Sequence, residues 1–386
     1  MSFPLTEEQR LIRDTVIKFA KDKVAPLAEH LDKTGEFPYE CTAMMKEMGL
    51  MGLTIPEEYG GQHAGDVAVC LAMEELSKVC LSTAGTLATH FLATEPMLIA
   101  GSEEQKKRYL PDMASGAKLA AFGLTEPSAG SDVSGVRTNA VKDGDSYILN
   151  GSKCFISNGG EADIYTIFAK STNAEGKSGL SAFIVEKGTP GFEFGKKEDK
   201  MGMRGSATRE LIFTDCRIPA ANLMGQETKA FKVVMQTLDH TRYIVGSQAI
   251  GVARGAFDAA VSYAKQRVQF GKPIISNQAI QFMLAEMATD IYSARLTVYE
   301  VARERENGEK NYSAKSAMSK LLSSEMVGRV VDQALQIHGG YGYMKDYAIE
   351  RYYRDARILR IYEGTSEIQK MVIAAEILNG RGEVWW

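Results

Sequence analysis

Residues 147–160 read YILNGSKCFISNGG, and this stretch indicates the structural class of the middle of the chain. Two short apolar runs, Tyr147 to Leu149 and Cys154 to Ile156, are separated by Asn150-Gly151. Further apolar runs of the same kind lie between turn signals at Ile164 to Ala169, Leu180 to Val185 and Leu211 to Phe213. Short strands at regular spacing predict an antiparallel sandwich or barrel with no room for crossover helices.

The flanking segments have helical patterns. Thr6 to Gln9 and Ser102 to Gln105 each fit a capping box, which marks a helix N-terminus. Stretches rich in Ala, Met, Leu, Gln and Arg predict a bundle of long helices over 228–268, 277–307 and 313–337. The sequence therefore predicts a mainly α protein with a central β-domain, divided into residues 1–118, 119–227 and 228–386. The last four residues, Glu383 to Trp386, suggest a frayed end.

Composition excludes several classes of function. The 386 residues contain 45 Lys+Arg and 49 Asp+Glu, and a net charge of −4 argues against nucleic acid or an anionic membrane as the main partner. No two of the five cysteines have CxxC spacing, so reduced thiols in a cytoplasmic protein are expected. The five histidines are scattered without an HExxH, so no protein metal site is expected. The sequence shows no apolar signal region and no run long enough for a membrane span.

Three polar, glycine-marked stretches stand out in a sequence without GxGxxG, Walker or GxSxG motifs. In the first, Gly123 to Asp132, small residues and hydroxyls let backbone N–H groups approach a ligand, although a hairpin connection explains the stretch equally well. The second is Gln336 to Tyr343. Its Gly339 and Gly340 fit the end of a helix, which leaves Gln336 and the tyrosines unexplained.

The third stretch is Ile361 to Gln369, which reads IYEGTSEIQ. Ser366 and Gln369 fit a capping box, so a helix is predicted to begin there and to run to about Leu378. Glu363 then lies in a tight connection just before a helix N-terminus. Such a carboxylate is either a solvated charge near the helix dipole or a general base on a short, rigid loop, and the residues alone leave both open.

Together these stretches resemble the acyl-CoA dehydrogenase family, with greatest similarity to its short-chain, butyryl-CoA-type bacterial members. Four motifs carry the resemblance in register along nearly the whole chain: Pro56 to Gly61, Leu124 to Asp132, Arg267 to Gly271 and Tyr362 to Gln369. The resemblance implies an N-terminal helical domain, a middle β-barrel or sandwich and a C-terminal four-helix bundle. It also implies a cytoplasmic homotetramer that uses an electron-transfer flavoprotein as redox partner.

The resemblance implies FAD as cofactor, between the β-domain and the C-terminal helices, and an acyl-CoA as substrate. Contacts with the flavin part of FAD are implied for Leu124, Thr125, Ser131, Phe155, Ser157, Thr365 and Glu367. Contacts with the ADP part of FAD in a neighbouring subunit are implied for Arg267, Phe270, Gln336, Gly339 and Gly340. Substrate contacts are implied for Ser131, Asp239, Arg242, Tyr362 and Gly364. Arg267 and Phe270 also fit plain structural roles, as a helix-end cation and a core aromatic.

Glu363 matches the catalytic base of the family. The implied reaction is α,β-dehydrogenation of an acyl-CoA to the trans-2-enoyl-CoA, in which the α-proton goes to Glu363 and the β-hydride to flavin N5. Because the α-hydrogen of a thioester is a very weak acid, its removal needs a nearby carboxylate, desolvation and a polarised carbonyl. Burial against flavin and acyl chain is expected to raise the pKa of Glu363.

Two further positions subdivide the family. Some members carry the base on a C-domain helix just before an arginine, and here that position is Thr241 before Arg242. Members that act on glutaryl-CoA hold the second carboxylate with an arginine in the N-domain, whereas residues 82–96 of this chain contain no Lys or Arg. A short-chain monocarboxylic substrate is therefore expected.

Some residues depart from the family pattern. Phe155 stands where the family usually has Trp, while Ser157 keeps the hydroxyl that bonds flavin N5. His90 and His240 are unusual for butyryl-CoA-type members, and if they face the pocket they indicate a branched or cyclic acyl group. Dehydrogenation of such an acyl-CoA, or reduction of the enoyl-CoA, is the alternative function. A flavin-binding relative without dehydrogenase activity is a distant alternative, which the presence of Glu363 disfavours.

Overall fold

The structure is a computed structural model that describes residues 4–309 and 312–380. The segment Glu383 to Trp386, for which the sequence suggests a frayed end, lies outside the described residues. All five cysteines are described and are free thiols. No helix of the described part is long and apolar enough to cross a membrane. The same residues contain no group of three or more His, Cys, Asp or Glu side chains arranged to hold a metal ion.

The N-terminal part is helical, as its capping signals predict. Both capping boxes form, at Thr6 with Gln9 and at Ser102 with Gln105, because each pair satisfies two backbone N–H groups at a helix start. A π-helical segment, Ala20–Val24, connects the first two helices. The helices are α1 Glu7–Phe19, α2 Ala25–Thr34, α3 Tyr39–Glu47, α4 Asp66–Ser77, α5 Leu81–Ala100 and α6 Glu103–Ala114.

The middle part is an eight-stranded sheet. Its strands are β1 Ala120–Gly123, β2 Asn139–Asp143, β3 Ser146–Ser157, β4 Ile164–Thr172, β5 Ser178–Glu186, β6 Phe192–Lys197, β7 Thr208–Pro219 and β8 Leu223–Met224. Their order is β6-β7-β3-β2-β4-β5-β8, and β1 also pairs with β4. Neighbouring strands are antiparallel as expected, except that β1 and β2 each pair with β4 in parallel. The local apolar pattern does not reveal these two parallel pairings, since they join strands that are distant in sequence.

The C-terminal part consists of helices and one short hairpin. Its elements are α7 Ala230–Gln266, β9 Val268–Gln269, β10 Lys272–Pro273, α8 Gln278–Glu306, α9 Ser313–His338, α10 Ile349–Ala356 and α11 Ser366–Leu378. The three long helices begin and end within about two residues of their predicted bounds. Helix α9 ends at His338, and Gly339 follows with φ +57°, so these glycines do end the helix.

Helices α5 and α7 connect the three parts and position the functional site. Helix α5 is buried along most of its length, and Asn158 at the end of β3 donates to the carbonyls of Thr86 on α5 and Ala120 on β1. Helix α7 packs against α4, α5, α8 and α9. Buried ion pairs of Glu74 with Arg254 and Arg295 fix the contact of α4 with α7 and α8. Both helices also contact the sheet, α5 at β1 and β4 and α7 at β5.

Candidate active site

A cavity of about 390 Å³ lies where α5, the loop after β1, the end of β3, α7 and α11 meet. Its size is in the range of about 300–1,000 Å³ that is typical of cofactor and small-molecule sites. Nine residues predicted from the sequence line it: Leu124, Thr125, Ser131, Phe155, Ser157, Arg242, Tyr362, Glu363 and Gly364. The structure therefore brings the first and third polar stretches together, although more than 200 residues separate Thr125 from Glu363.

The other predicted residues lie elsewhere. Arg267, Gly339 and Gly340 line a separate cleft of about 490 Å³ at the ends of α7 and α9. Phe270, at the tip of the β9–β10 hairpin, is 99% exposed, so it is not a core residue in this chain. Gln336 is exposed on α9. Three predicted contact residues do not line the first cavity: Asp239, Thr365 and Glu367.

Glu363 occupies an unusual turn. Its φ is +50°, and Gly364 follows with φ +94°, so two consecutive residues adopt left-handed backbone conformations. Only glycine adopts such a φ without strain, and a Cβ at position 364 would lie 2.7 Å from Nε2 of Gln369. The turn therefore requires glycine at 364, and it holds Glu363 in one orientation at the cavity wall.

The electrostatic environment of Glu363 suits a base. Burial raises the pKa of its carboxyl group to about 7. A hydrogen bond from Thr241 and the positive charges of Lys320 and Arg242 act in the opposite direction and partly lower this pKa. The Thr241 hydroxyl donates to Oε2 at 2.8 Å. Thr241 is the position at which other family members are expected to carry the base, and the structure now places it next to Glu363. The contact with Thr241 and the presence of Lys320 were not predicted from the sequence.

The start of α11 differs from the prediction in one detail. The helix runs from Ser366 to Leu378 as expected, but Thr365 caps it, with its hydroxyl accepting from the backbone N–H of Ile368 at 3.3 Å. The Ser366 hydroxyl instead donates to Glu325 on α9 at 2.6 Å. Thr365 is the cap because it has the extended backbone of an N-cap residue, whereas Ser366 is already helical.

The comparison with known proteins agrees with this geometry. Residues 6–117, 121–216 and 229–378 match the N-terminal, middle and C-terminal domains of acyl-CoA dehydrogenases. The chain belongs to the acyl-CoA dehydrogenase family. It is therefore an acyl-CoA dehydrogenase-type oxidoreductase, and members of this family are flavoproteins.

Three similar proteins align with this chain over nearly its whole length. Acryloyl-CoA reductase (NADH) of Anaerotignum propionicum is 50% identical over 98% of this chain and 96% of its own length. A chain of the structure reported for the electron transferring flavoprotein of Acidaminococcus fermentans is 49% identical, with a TM-score of 0.95 over 98% of this chain and 100% of that one. Butyryl-CoA dehydrogenase of Megasphaera elsdenii is 44% identical, with a TM-score of 0.94 and the same coverage.

The residues of this family member fit a flavin. Hydroxyls of Thr125, Ser131 and Ser157 supply hydrogen-bonding groups at the cavity wall. Phe155 has φ +60° and is 68% exposed, so its ring is free to contact a planar ligand. A polar ring system with several nitrogen and oxygen acceptors matches this set of donors and one aromatic face.

A buried ion pair shapes the loop that carries Thr125. The Lys153 ammonium, completely buried on β3, contacts Glu126 Oε1 at 2.6 Å and the Leu124 carbonyl at 3.2 Å. The Glu126 carboxylate also accepts from the backbone N–H groups of Arg137 at 2.6 Å and Thr138 at 3.0 Å. The pair therefore holds both sides of the loop. Its signal in the sequence is the lysine at 153, the only charged residue in the stretch 147–160, together with the glutamate inside the stretch Gly123 to Asp132.

The two unusual histidines do not line the cavity. His90 is fully buried, and its Nδ1 accepts from the Ala120 N–H while its Nε2 contacts the Met113 carbonyl at 3.1 Å. Burial lowers the pKa of His90 to about 4, so the ring is neutral and joins α6 to β1. His240 pairs with Glu95, next to Arg305. Both histidines have structural partners, which removes their support for a branched or cyclic acyl group.

Proposed function

We propose that this family member is an FAD-dependent dehydrogenase that converts a short-chain monocarboxylic acyl-CoA to its trans-2-enoyl-CoA, with Glu363 as catalytic base. One observation carries the proposal: the Glu363 carboxylate lines the cavity from a rigid turn, and burial raises its pKa to about 7. A base whose pKa is near the working pH is ionised in a large fraction of molecules and still basic enough to remove a weakly acidic proton.

The proton transfer follows from the hydrogen bonds of Glu363. Oε2 is bound by Thr241, whereas Oε1 accepts no hydrogen bond from any described residue. As the α C–H bond breaks, its proton passes to the carboxylate, most directly to Oε1. The backbone N–H of Glu363 donates to no carbonyl of residues 4–309 and 312–380, which leaves it free to polarise the thioester carbonyl. The electron pair of the broken C–H bond then forms the α,β double bond.

FAD supplies the acceptor for the β-hydride when it is bound. In our proposal the flavin contacts are Leu124, Thr125, Ser131, Phe155 and Ser157, which line the cavity. The more distant predicted contacts are Thr365, which caps α11, and Glu367, which lies in the first turn of that helix. The cleft that contains Arg267, Gly339 and Gly340 would receive the ADP part of FAD from a neighbouring subunit, together with Phe270 and Gln336.

A short acyl group without a second carboxylate fits this cavity. The butyryl-CoA dehydrogenase of Megasphaera elsdenii, 44% identical to this chain, supports a short acyl chain. The guanidinium of Arg242 is buried and already paired with Asp239. Since residues 82–96 add no Lys or Arg, a distal carboxylate would find no free cation there. Tyr362 donates to the buried Gln248 at 2.8 Å, and this pair forms a fixed part of the cavity wall.

A second candidate function is the reverse reaction on a short enoyl-CoA. The relative named acryloyl-CoA reductase, at 50% identity, favours it. The same residues serve both directions, because a protonated Glu363 can return its proton to the α-carbon. The rest of the proposal is a cytoplasmic homotetramer that exchanges electrons with an electron-transfer flavoprotein, with domains divided near residues 118 and 227.

Flavin bleaching tests the proposal. The FAD-loaded protein is mixed anaerobically with a panel of acyl-CoAs, and the loss of flavin absorbance is followed. We expect butyryl-CoA and similar substrates to reduce the flavin orders of magnitude faster than glutaryl-CoA, since a buried carboxylate without a partner is strongly disfavoured. Equal rates would contradict the substrate assignment.

A matched pair of variants tests the base. Glu363→Gln keeps the size of the side chain and the backbone N–H but removes the proton acceptor. FAD and acyl-CoA should still bind, while flavin reduction should fall by at least ~10²–10⁴, the usual contribution of a general base. Glu367→Gln changes an exposed carboxylate four residues away and should have a much smaller effect. Rapid flavin reduction by the Glu363→Gln protein would overturn the proposed function.

A further inference from the structure

Lys320 is a buried cation on α9 that the reaction scheme above leaves without a role. Its side chain is completely buried, and Nζ donates to the Gly364 carbonyl at 2.7 Å. Fully buried lysines are rare because an unpaired ammonium is costly to remove from water. Burial lowers the pKa of Lys320 to about 8, against attraction from Glu363. Such a residue at this place calls for an explanation beyond packing.

Lys320 binds the turn that presents Glu363. The Gly364 carbonyl accepts from Lys320 and also from Gln369 Nε2 at 2.9 Å, and the same nitrogen reaches the Glu363 carbonyl at 3.3 Å. Glu363 has a left-handed φ of +50°, a backbone conformation that is strained for a non-glycine residue. The turn persists because α9 and α11 hold it from two sides.

Lys320 also differs electrostatically from the other cation near Glu363. Arg242 forms an ion pair with Asp239, so its charge is largely balanced. No carboxylate of the described residues lies within 4 Å of the Lys320 ammonium. Three groups act on the carboxylate of Glu363, namely Thr241 and Arg242 from α7 and Lys320 from α9. Asp239 acts on Arg242, Glu363 acts on the neighbouring Tyr362, and the more distant carboxylates of Glu325 and Glu367 act on Lys320. Within this set, Lys320 is the cation without a paired carboxylate.

We propose that Lys320 is a positioning residue for the acyl-CoA reaction: its ammonium fixes the Gly364 carbonyl and provides the unbalanced positive charge that keeps Glu363 ionised. The inference rests on the proposed role of Glu363 as base. Lys320 touches neither substrate nor cofactor in this scheme and acts through the turn and through its charge. Gln369 also binds the Gly364 carbonyl, but because its side chain is neutral it adds no positive charge near Glu363.

Three variants separate these two tasks. Lys320→Gln keeps an N–H donor and removes the charge, Lys320→Arg keeps the charge, and Gln369→Met removes the second hydrogen bond without a change of charge. Flavin reduction by butyryl-CoA is measured against pH in FAD-loaded protein, together with FAD retention and acyl-CoA affinity. We expect the acidic limb of the Lys320→Gln profile to move up by about one pH unit, with a rate about fivefold lower at pH 7. Lys320→Arg should restore the position of the limb.

The controls distinguish the possible failures. Gln369→Met should lower the rate without moving the limb, because it leaves the charge unchanged. A Lys320→Gln protein that binds FAD and shows an unmoved limb would overturn the inference, as would an equal shift in Gln369→Met. If Lys320→Gln does not fold, Lys320→Met is measured in the same assay, because it also removes the charge, and an unmoved limb in that protein would overturn the inference. Glu363→Gln in the same assay tests the role of Glu363 as base. If Glu363→Gln loses activity while the acidic limb of Lys320→Gln does not move, the base is supported and only the role of Lys320 is refuted.

Discussion

Replacing Thr241 by Val should raise the pKa of Glu363 and move the pH dependence of flavin reduction. Val keeps the shape of Thr but removes the hydroxyl that donates to Glu363 Oε2 at 2.8 Å. A hydrogen bond to a charged group contributes about 1.5–3 kcal/mol, and we take the lower end because the carboxylate lines an open cavity. This corresponds to about one pKa unit, from about 7 to about 8.

The direction of the pH effect follows from the charge of the active form. The carboxylate must be ionised to accept the α-proton, so a higher pKa lowers activity on the acidic side. At pH 7 the ionised fraction should fall from about one half to about one tenth, a roughly fivefold loss in rate. Above about pH 9 both proteins should be ionised and should reduce flavin at similar rates.

Stopped-flow flavin reduction by butyryl-CoA from pH 5.5 to 9.5 measures the effect, in steps of about half a unit. Thr241→Ser is the matched control, since it keeps the hydroxyl and loses only a methyl group. The pH profile of flavin reduction by Thr241→Ser should match that of the wild type. If Thr241→Val loses activity equally at all pH values, the hydroxyl does not set the ionisation of Glu363. An unmoved profile with full activity would refute the reasoning as well.

Three further predictions concern other parts of the molecule. Lys153→Met should destabilise the fold by about 3–5 kcal/mol because it leaves Glu126 buried without a cation, and adding Glu126→Gln should recover part of the loss in chemical denaturation. Burial keeps the pKa of His90 at about 4 against 6.5 in the unfolded chain, so the free energy of unfolding should fall by about 3 kcal/mol between pH 6.5 and 4. A His90→Gln protein should lack that part of the pH slope, and an unchanged slope would contradict the assignment. Arg267→Glu should weaken FAD retention and tetramer assembly, measured by absorbance and light scattering; if neither changes, Arg267 does not contact the cofactor.

Local sequence signals were sufficient for the helix–sheet–helix order of the chain and for the bounds of its three long C-terminal helices. The capping boxes at Thr6 and Ser102 form as predicted, since a cap involves residues only three positions apart. The two apolar runs on either side of Asn150-Gly151 were predicted as separate short strands, and this prediction was wrong. They form one strand, β3, because β3 pairs with β7 on both sides of Asn150-Gly151, where the register shifts as at a bulge instead of turning. The position of Glu363 in a tight turn before a helix was also readable, although its cap is Thr365 rather than Ser366.

One missed residue had left a signal in the sequence. Lys320 lies at helical spacing between Ala317 and Ser324, on the face of α9 that continues with Val327 and Val331, all of them buried. A lysine within such a face is a candidate buried charge. Its partner Gly364 is 44 positions away, and no local pattern indicates that distance.

The sequence by itself determined the helix–sheet–helix order, the family resemblance and the choice of Glu363 as the candidate base. Only the tertiary structure decided that Thr241, Lys320 and Glu363 share one site, that His90 and His240 are structural, and that β4 has parallel neighbours. The physical reason is the range of the interactions. Periodicity, capping and turn formation depend on residues a few positions apart, whereas the pKa of Glu363 depends on burial and on groups brought together from distant helices.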